Sequence, residues 1–123
     1  VLVVGDGGFQ MTMQELGTIM DYDIPVKVLI LNNSFLGMVR QWQQLFFDRR
    51  YSFTELKNPD FIAIAKAYDI EAQKISERDD IEGALKAMLD CKSSYLLEVV
   101  VEKEDNVFPM VPTGASVADV LLE

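Results

Sequence analysis

The chain has 123 residues, half of them apolar and a quarter charged, with 11 Lys+Arg against 20 Asp+Glu and no histidine. That length supports one domain with one core, and a net charge of −9 weighs against nucleic acid, which is gripped through Lys and Arg. Lack of histidine excludes a Ser-His-Asp triad, a Cys-His pair and an ordinary zinc site, so chemistry must come from carboxylates, amides, backbone or a bound group.

Residues 1–4 are an apolar, β-rich run with no turn or cap ahead of them. The run reads as a buried strand cut at its start, and the chain as a piece of a longer polypeptide. It lacks the length and basic residues of a signal peptide. Gly5-Asp6-Gly7-Gly8 follows as a turn, and Thr12, Leu16, Ile19 and Met20 then predict a helix over residues 11–22. Pro25 punctuates, and residues 26–31 read as the next buried strand. Residues 35–47 predict a helix with Leu36, Val39, Gln43 and Phe46 along one side; residues 49–57 read as a polar and aromatic loop. Asn58-Pro59 reads as a cap followed by proline at the first helical position, opening a helix to about residue 68. A short strand is expected at residues 70–75. Ile81, Ala84, Leu85, Met88 and Leu89 then mark an amphipathic helix. Cys91, the single cysteine, reads as a small buried hydrophobe, and its solitude fits a reducing cytoplasm. Residues 95–101 are the last apolar strand, and residues 107–123 a Pro-containing tail ending in a short helix. No apolar run is long enough to span a bilayer. The doublets Asp21/Asp23 and Asp79/Asp80 miss the calcium-loop pattern and read as a turn and a helix start.

Alternating strands and helices predict a single α/β domain over residues 1–123, a three-layer, doubly wound and mostly parallel sheet. Ligands of such sheets bind beyond the carboxyl ends of the strands. Two such ends carry chemistry: Gly5-Asp6-Gly7-Gly8 and Asn32-Asn33. Glycines let backbone amides approach a phosphate closely. The dinucleotide fingerprint fails, because Gln10 stands at its third glycine position, and no Gly-Lys-Ser/Thr follows. Asp6 inside a phosphate-type cradle would repel phosphate unless a cation such as magnesium lay between them. Taken alone, the turn fits equally a strand-to-helix junction with Asp6 as cap, and Asn-Asn fits an ordinary turn.

Gly-Asp-Gly at 5–7 and Asn-Asn at 32–33, separated by residues 8–31, together resemble the thiamine diphosphate-binding motif. The stretches Gly5-Asp6-Gly7-Gly8-Phe9-Gln10-Met11, Ile24-Pro25-Val26-Lys27, Leu36-Gly37-Met38-Val39-Arg40-Gln41-Trp42-Gln43, Asn58-Pro59-Asp60-Phe61 and Pro109-Met110-Val111-Pro112 extend the likeness over nearly the whole chain. They resemble the C-terminal, cofactor-binding domain of acetolactate synthase (acetohydroxyacid synthase) catalytic subunits. The resemblance implies the thiamine diphosphate-binding fold, here N-terminally truncated, and a cytoplasmic transferase of branched-chain amino acid biosynthesis. Such an enzyme decarboxylates pyruvate and condenses the hydroxyethyl unit with a second 2-oxo acid.

Residue roles follow from the same resemblance. Asp6, the Asn33 side chain and the Phe35 carbonyl would ligate Mg²⁺. Gly5, Gly7, Gly8, Leu36, Gly37 and Met38 would contact the cofactor. Met38, Val39, Trp42 and Phe46 would line the substrate's approach, although as residues alone they could equally pack as a helix stripe. The activating glutamate lies in the family's N-terminal domain on a partner subunit, and Glu15 is not that residue. FAD belongs to the family's middle domain. No catalytic residue is therefore expected in this chain, which should be inactive alone and work as part of a homo-oligomer, with a regulatory small subunit as a further partner. Residues 35–50 are expected to behave as a mobile lid. Two alternatives stand: a non-catalytic α/β binding or assembly module, and the same domain of another thiamine diphosphate-dependent decarboxylase or oxidase.

Overall fold

The structure is a computed structural model that describes residues 1–122. Its strands are β1 (Leu2–Gly5), β2 (Lys27–Asn32), β3 (Glu71–Ile75) and β4 (Tyr95–Val100). The helices are α1 (Asp6–Thr12), α2 (Leu16–Asp21), α3 (Gly37–Phe46), α4 (Phe61–Ala67) and α5 (Ile81–Asp90). The sheet order is β1-β2-β4-β3, and every pairing is parallel.

That order dictates the layers. The chain moves across the sheet from β1 to β2 and on to the far edge at β3, then steps back to place β4 in between. Right-handed crossovers put the helices of the forward moves on one face and that of the backward move on the other. Accordingly Phe9 of α1, Leu16 of α2, and Phe61 and Ala65 of α4 share one core with Val28, Ile30 and Leu96. Ala84 and Met88 of α5 pack oppositely, on Ile75, Tyr95 and Leu97. The three-layer parallel α/β architecture is as expected. Its second face is half-clothed: α5 covers β3 and β4, while Val3 and Leu31 remain 56% and 39% exposed.

Several boundaries differ from expectation for local reasons. The helix placed at residues 11–22 starts at Asp6, directly on the strand, and is interrupted by a 3-10 turn at Met13–Glu15 before α2 resumes. The glycines are thus the first turn of α1 and not a leader to it. The expected cap at Asn58 lies two residues too early. Asp60 caps α4, its side chain accepting from Ile62 N and Ala63 N at 3.0 Å each, with Pro59 outside the helix.

α3 presents the largest departure. Its expected packing side, with Val39 and Phe46, is 49% and 42% exposed, whereas Arg40 and Gln41 are fully buried. The helix rests on irregular backbone with unpaired donors and acceptors, and polar side chains satisfy these where apolar ones cannot. Arg40 donates to Asn106 Oδ1 (2.8 Å) and Gln44 Oε1 (2.9 Å) and stands over the Phe35 ring. Loop 49–57 returns to the end of β2, where Leu36 N donates to Thr54 O and Leu56 N to Ser34 O, both at 2.8 Å. Beyond β4 the tail doubles back through a Met110–Leu121 bridge, after a 3-10 turn at Val117–Asp119; Glu123, included in the expected tail, lies outside the described residues. Among the described residues no helix is long and apolar enough to cross a membrane.

Candidate functional site

A cavity of about 690 Å³ opens at the carboxyl ends of β1 and β2, the place parallel sheets reserve for ligands. Gly5, Asp6, Gly7 and Gly8 form one wall; Asn33, Phe35, Leu36, Gly37, Met38 and Val39 form another. These two segments meet because Gly5 pairs with Leu31 in register, so both strands end at the same level. Val101, Glu102, Asp105 and Val107 supply a third side that the sequence reading had not anticipated. Trp42 and Phe46 fall outside the lining. They lie farther along α3 with ring centroids 5.1 Å apart, one tilted on the other.

The turn after β2 is built by its two asparagines. Asn33 Oδ1 accepts from Phe35 N at 3.1 Å, and Asn32 Oδ1 accepts from Ser34 N at 3.0 Å. Ser34 takes a positive φ of 59°, which folds the chain sharply from strand toward α3. Asn33 thereby faces the cavity, while Asn32 is buried beneath it.

Asp6 is the central group, only 1% exposed and without an ion-pair partner among the described residues. Its Oδ2 accepts from Asn58 Nδ2 at 2.6 Å, and Oδ1 has no protein donor among those residues. A carboxylate withdrawn from water costs on the order of several kcal/mol unless a cation or ample hydrogen bonding compensates it. Among the described residues no Lys or Arg lines the cavity, and two more carboxylates, Glu102 and Asp105, do. An anionic ligand would meet repulsion there unless it brought a cation.

The residues suit that combination. One carboxylate, one amide oxygen and a backbone carbonyl are hard oxygen donors of the kind magnesium takes alongside phosphate and water. Among the described residues no three carboxylates, cysteines or histidines converge, so neutral oxygens would have to complete the set around Asp6. Gly5 provides no side-chain cap to α1, leaving the amides of its first turn free of side-chain acceptors. Gly7 is tightly approached: an added Cβ would come within 2.8 Å of Leu36 Cδ2 and 3.0 Å of Leu56 Cδ1, so those methyls would have to shift to admit it.

Three residues near this site had no site role in the sequence analysis: Asn58, expected as a helix cap, Gln10 and Glu98. Glu98 did carry a signal, as one charge inside the apolar strand Tyr95–Val100. Local pattern gave Asn58 and Gln10 no sign of a contact with Asp6 or with each other.

A parallel α/β sheet with a glycine-walled, carboxylate-centred cavity at its strand ends defines a cofactor-binding domain. The chain belongs to the family described as "Thiamine pyrophosphate enzyme, C-terminal TPP binding domain", which it matches over residues 1–99. Within that family it is similar to acetolactate synthase large subunits. It is 49% identical to the acetolactate synthase isozyme 2 large subunit of Escherichia coli over 98% of this chain and 22% of that protein. Identity is 45% to mitochondrial acetolactate synthase of Schizosaccharomyces pombe, over 96% of this chain and 18% of that one. The chain thus spans about a fifth of the length of these relatives. Among solved structures it resembles the thiamine diphosphate-dependent 4-hydroxybenzoylformate decarboxylase of Rhodococcus jostii, with a TM-score of 0.76 and 25% identity over 84% of this chain and 19% of that one.

Proposed function

We propose that the chain forms the diphosphate- and metal-holding half of an acetolactate synthase active site. The observation that carries this reading is the buried Asp6 carboxylate, without a Lys or Arg partner among the described residues, beside Gly7 and Gly8 in one cavity. Asp6, Asn33 Oδ1 and the Phe35 carbonyl would hold Mg²⁺, and the glycine amides would hold the diphosphate oxygens. When bound, thiamine diphosphate supplies the nucleophilic carbon and electron sink for decarboxylating one 2-oxo acid and joining the remainder to another.

This chain's residues bind, orient and exclude water. Leu36, Gly37 and Met38 form the wall against the cofactor, and the exposed apolar side chains of Met38 and Val39 offer a dry approach for small 2-oxo acids. Trp42 and Phe46, packed at a tilt farther along α3, would reach substrate only at the rim or through a neighbouring subunit. No residue here is assigned a proton-transfer role. The chain by itself is therefore inactive. Its activity requires the N-terminal domain of a second subunit, in a cytoplasmic homo-oligomer serving branched-chain amino acid synthesis, with FAD in a separate domain and a regulatory small subunit as a further partner.

Titration of the full-length protein with thiamine diphosphate in the presence and absence of Mg²⁺ tests the reading. Binding that needs the metal and disappears in Asp6→Asn supports it. Metal-independent binding, or none in a folded protein, points instead to an assembly module that keeps only the fold.

A further inference from the structure

We propose that Asn58 is the positioning residue for the Asp6 carboxylate, locked in that role by a buried chain through Asn32 and Glu98 to Lys74. The inference rests on the cofactor-binding reading above and adds to it a residue outside the cavity wall.

The side-chain amide of Asn58 has two protons and both are committed. One goes to Asp6 Oδ2 at 2.6 Å, the other to Asn32 Oδ1 at 2.9 Å. Its oxygen accepts from Gln10 Nε2 at 2.7 Å. Rotating the amide by half a turn would set that oxygen against two acceptors, so only one orientation satisfies the site. Asn32 is fixed in turn, donating to Glu98 Oε1 at 2.7 Å, and Lys74 Nζ balances that buried carboxylate at 2.8 Å.

The fold explains the convergence. Asn32, Glu98 and Lys74 alternate onto the sheet face covered by α1 and α4: Glu98 pairs with Ile30 and Lys74 in register, and Ile30 lies in that core. Asn58 precedes α4 on the same face. The chain of bonds thus runs across three strands and ends on Asp6, in a part of the protein where each polar group has one partner geometry.

A carboxylate turns easily about its last torsion. Asn58 occupies one Asp6 oxygen and so leaves the other, Oδ1, as the free donor atom at a fixed position. Mg²⁺ demands near-octahedral geometry at about 2.0–2.1 Å, whereas Ca²⁺ accepts varied geometry. Loss of Asn58 should therefore weaken magnesium more than calcium.

The test uses full-length protein with thiamine diphosphate, titrated with Mg²⁺ and with Ca²⁺ in competition against Mn²⁺ followed by its paramagnetic resonance signal. Asn58→Ala should lower Mg²⁺ affinity about 10-fold, the usual consequence of removing a ligand's outer hydrogen-bond partner. Ca²⁺ affinity should fall less, narrowing the Mg²⁺/Ca²⁺ ratio. Gln10→Leu, which removes the donor on the Asn58 oxygen and so one of the three bonds that hold its amide, should shift the ratio the same way by less, and carries the test if Asn58→Ala does not fold. Wild-type metal affinities in these variants overturn the proposal. So does an equal loss of both metals accompanied by a matching drop in the melting temperature of metal-free protein. If Asp6→Asn binds metal like wild type, the cofactor-site reading itself fails, whatever Asn58→Ala does.

Discussion

Gln41 holds Val107 by both of its backbone groups, its Oε1 accepting from Val107 N at 2.8 Å and its Nε2 donating to Val107 O at 2.9 Å. One glutamine side chain thereby replaces a strand partner and attaches the segment after β4 to α3. Both elements wall the cavity, so the contact ties two of its sides together.

Gln41→Met keeps the side chain's length and removes both bonds. Val107 is 62% exposed, so water can reach its freed backbone groups, and the cost should be about 1–2 kcal/mol and not the full penalty of buried orphans. Faster hydrogen exchange at the Val107 amide, with β2 and β4 unchanged, is the expected result. Unaltered exchange at Val107 would show that other contacts hold the segment.

Gly7→Ala tests the crowding at the head of α1. Alanine in place of glycine favours the helix by about 1 kcal/mol, but its Cβ would strike the Leu36 and Leu56 methyls. Those are ends of flexible side chains and can move, so the melting temperature should change little. Leu36 would move into the cavity it lines. The expected result is weakened thiamine diphosphate binding in a normally stable protein; unchanged binding would free Gly7 from its assigned role.

Asp60→Ala removes two hydrogen bonds from the exposed head of α4 and should cost about 1 kcal/mol. That corresponds to a melting temperature lower by about 4 °C for a domain of this size. Asn58→Ala should show a different signature, in metal binding, because Asn58 is not the cap.

These two residues show where the sequence was legible and where it was not. The strands were readable because apolar runs bounded by glycine and proline have few other fates, and parallel order follows from the helices between them. The two halves of the motif could be brought together because β1 and β2 end in register. Asn58 was misread because Asn and Asp cap helices equally well, and local pattern cannot choose between positions 58 and 60. Its actual partners, Asp6 and Asn32, are 52 and 26 residues away in sequence. The inverted face of α3 was hidden likewise: hydrophobic spacing assumes an apolar neighbour, and α3 has bare backbone beside it.

Tyr95 should contribute to a fall in stability at alkaline pH. Burial, and then the negative charges of Glu71 and Cys91 when ionised, raise its phenol above the ordinary value of 10.0. The unfolded chain releases that proton first, so Tyr95's contribution is fully present below pH 10 and is lost as pH rises through the folded-state value. Tyr95→Phe should flatten the fall in stability above about pH 10, at the expense of a weak bond to Gln73 Oε1. An alkaline limb of denaturation unchanged in Tyr95→Phe would assign it to other groups.

α3 should open independently of the sheet. Among the described residues no strand or helix packs on it beyond marginal contact, and its anchors are loop segments: Thr54 at its head, Ser52 held by Gln43, and residues 105–107 held by Arg40 and Gln41. Its apolar side chains Met38, Val39 and Phe46 are nearly half exposed and contribute little burial. Sub-global opening draws on regions with few apolar contacts, so amides of residues 41–46 should exchange faster than those of residues 28–30 in cofactor-free protein. The cavity contacts at Gly37 and Met38 lie at the helix head, where a bound diphosphate and metal would add to Thr54's hold. Thiamine diphosphate with Mg²⁺ should therefore slow exchange along the whole of α3, as closure over a bound ligand does in active-site lids. Protection of residues 41–46 equal to that of β2 without cofactor would mean that Arg40 and Gln41 alone make the helix rigid, and the lid reading would fall.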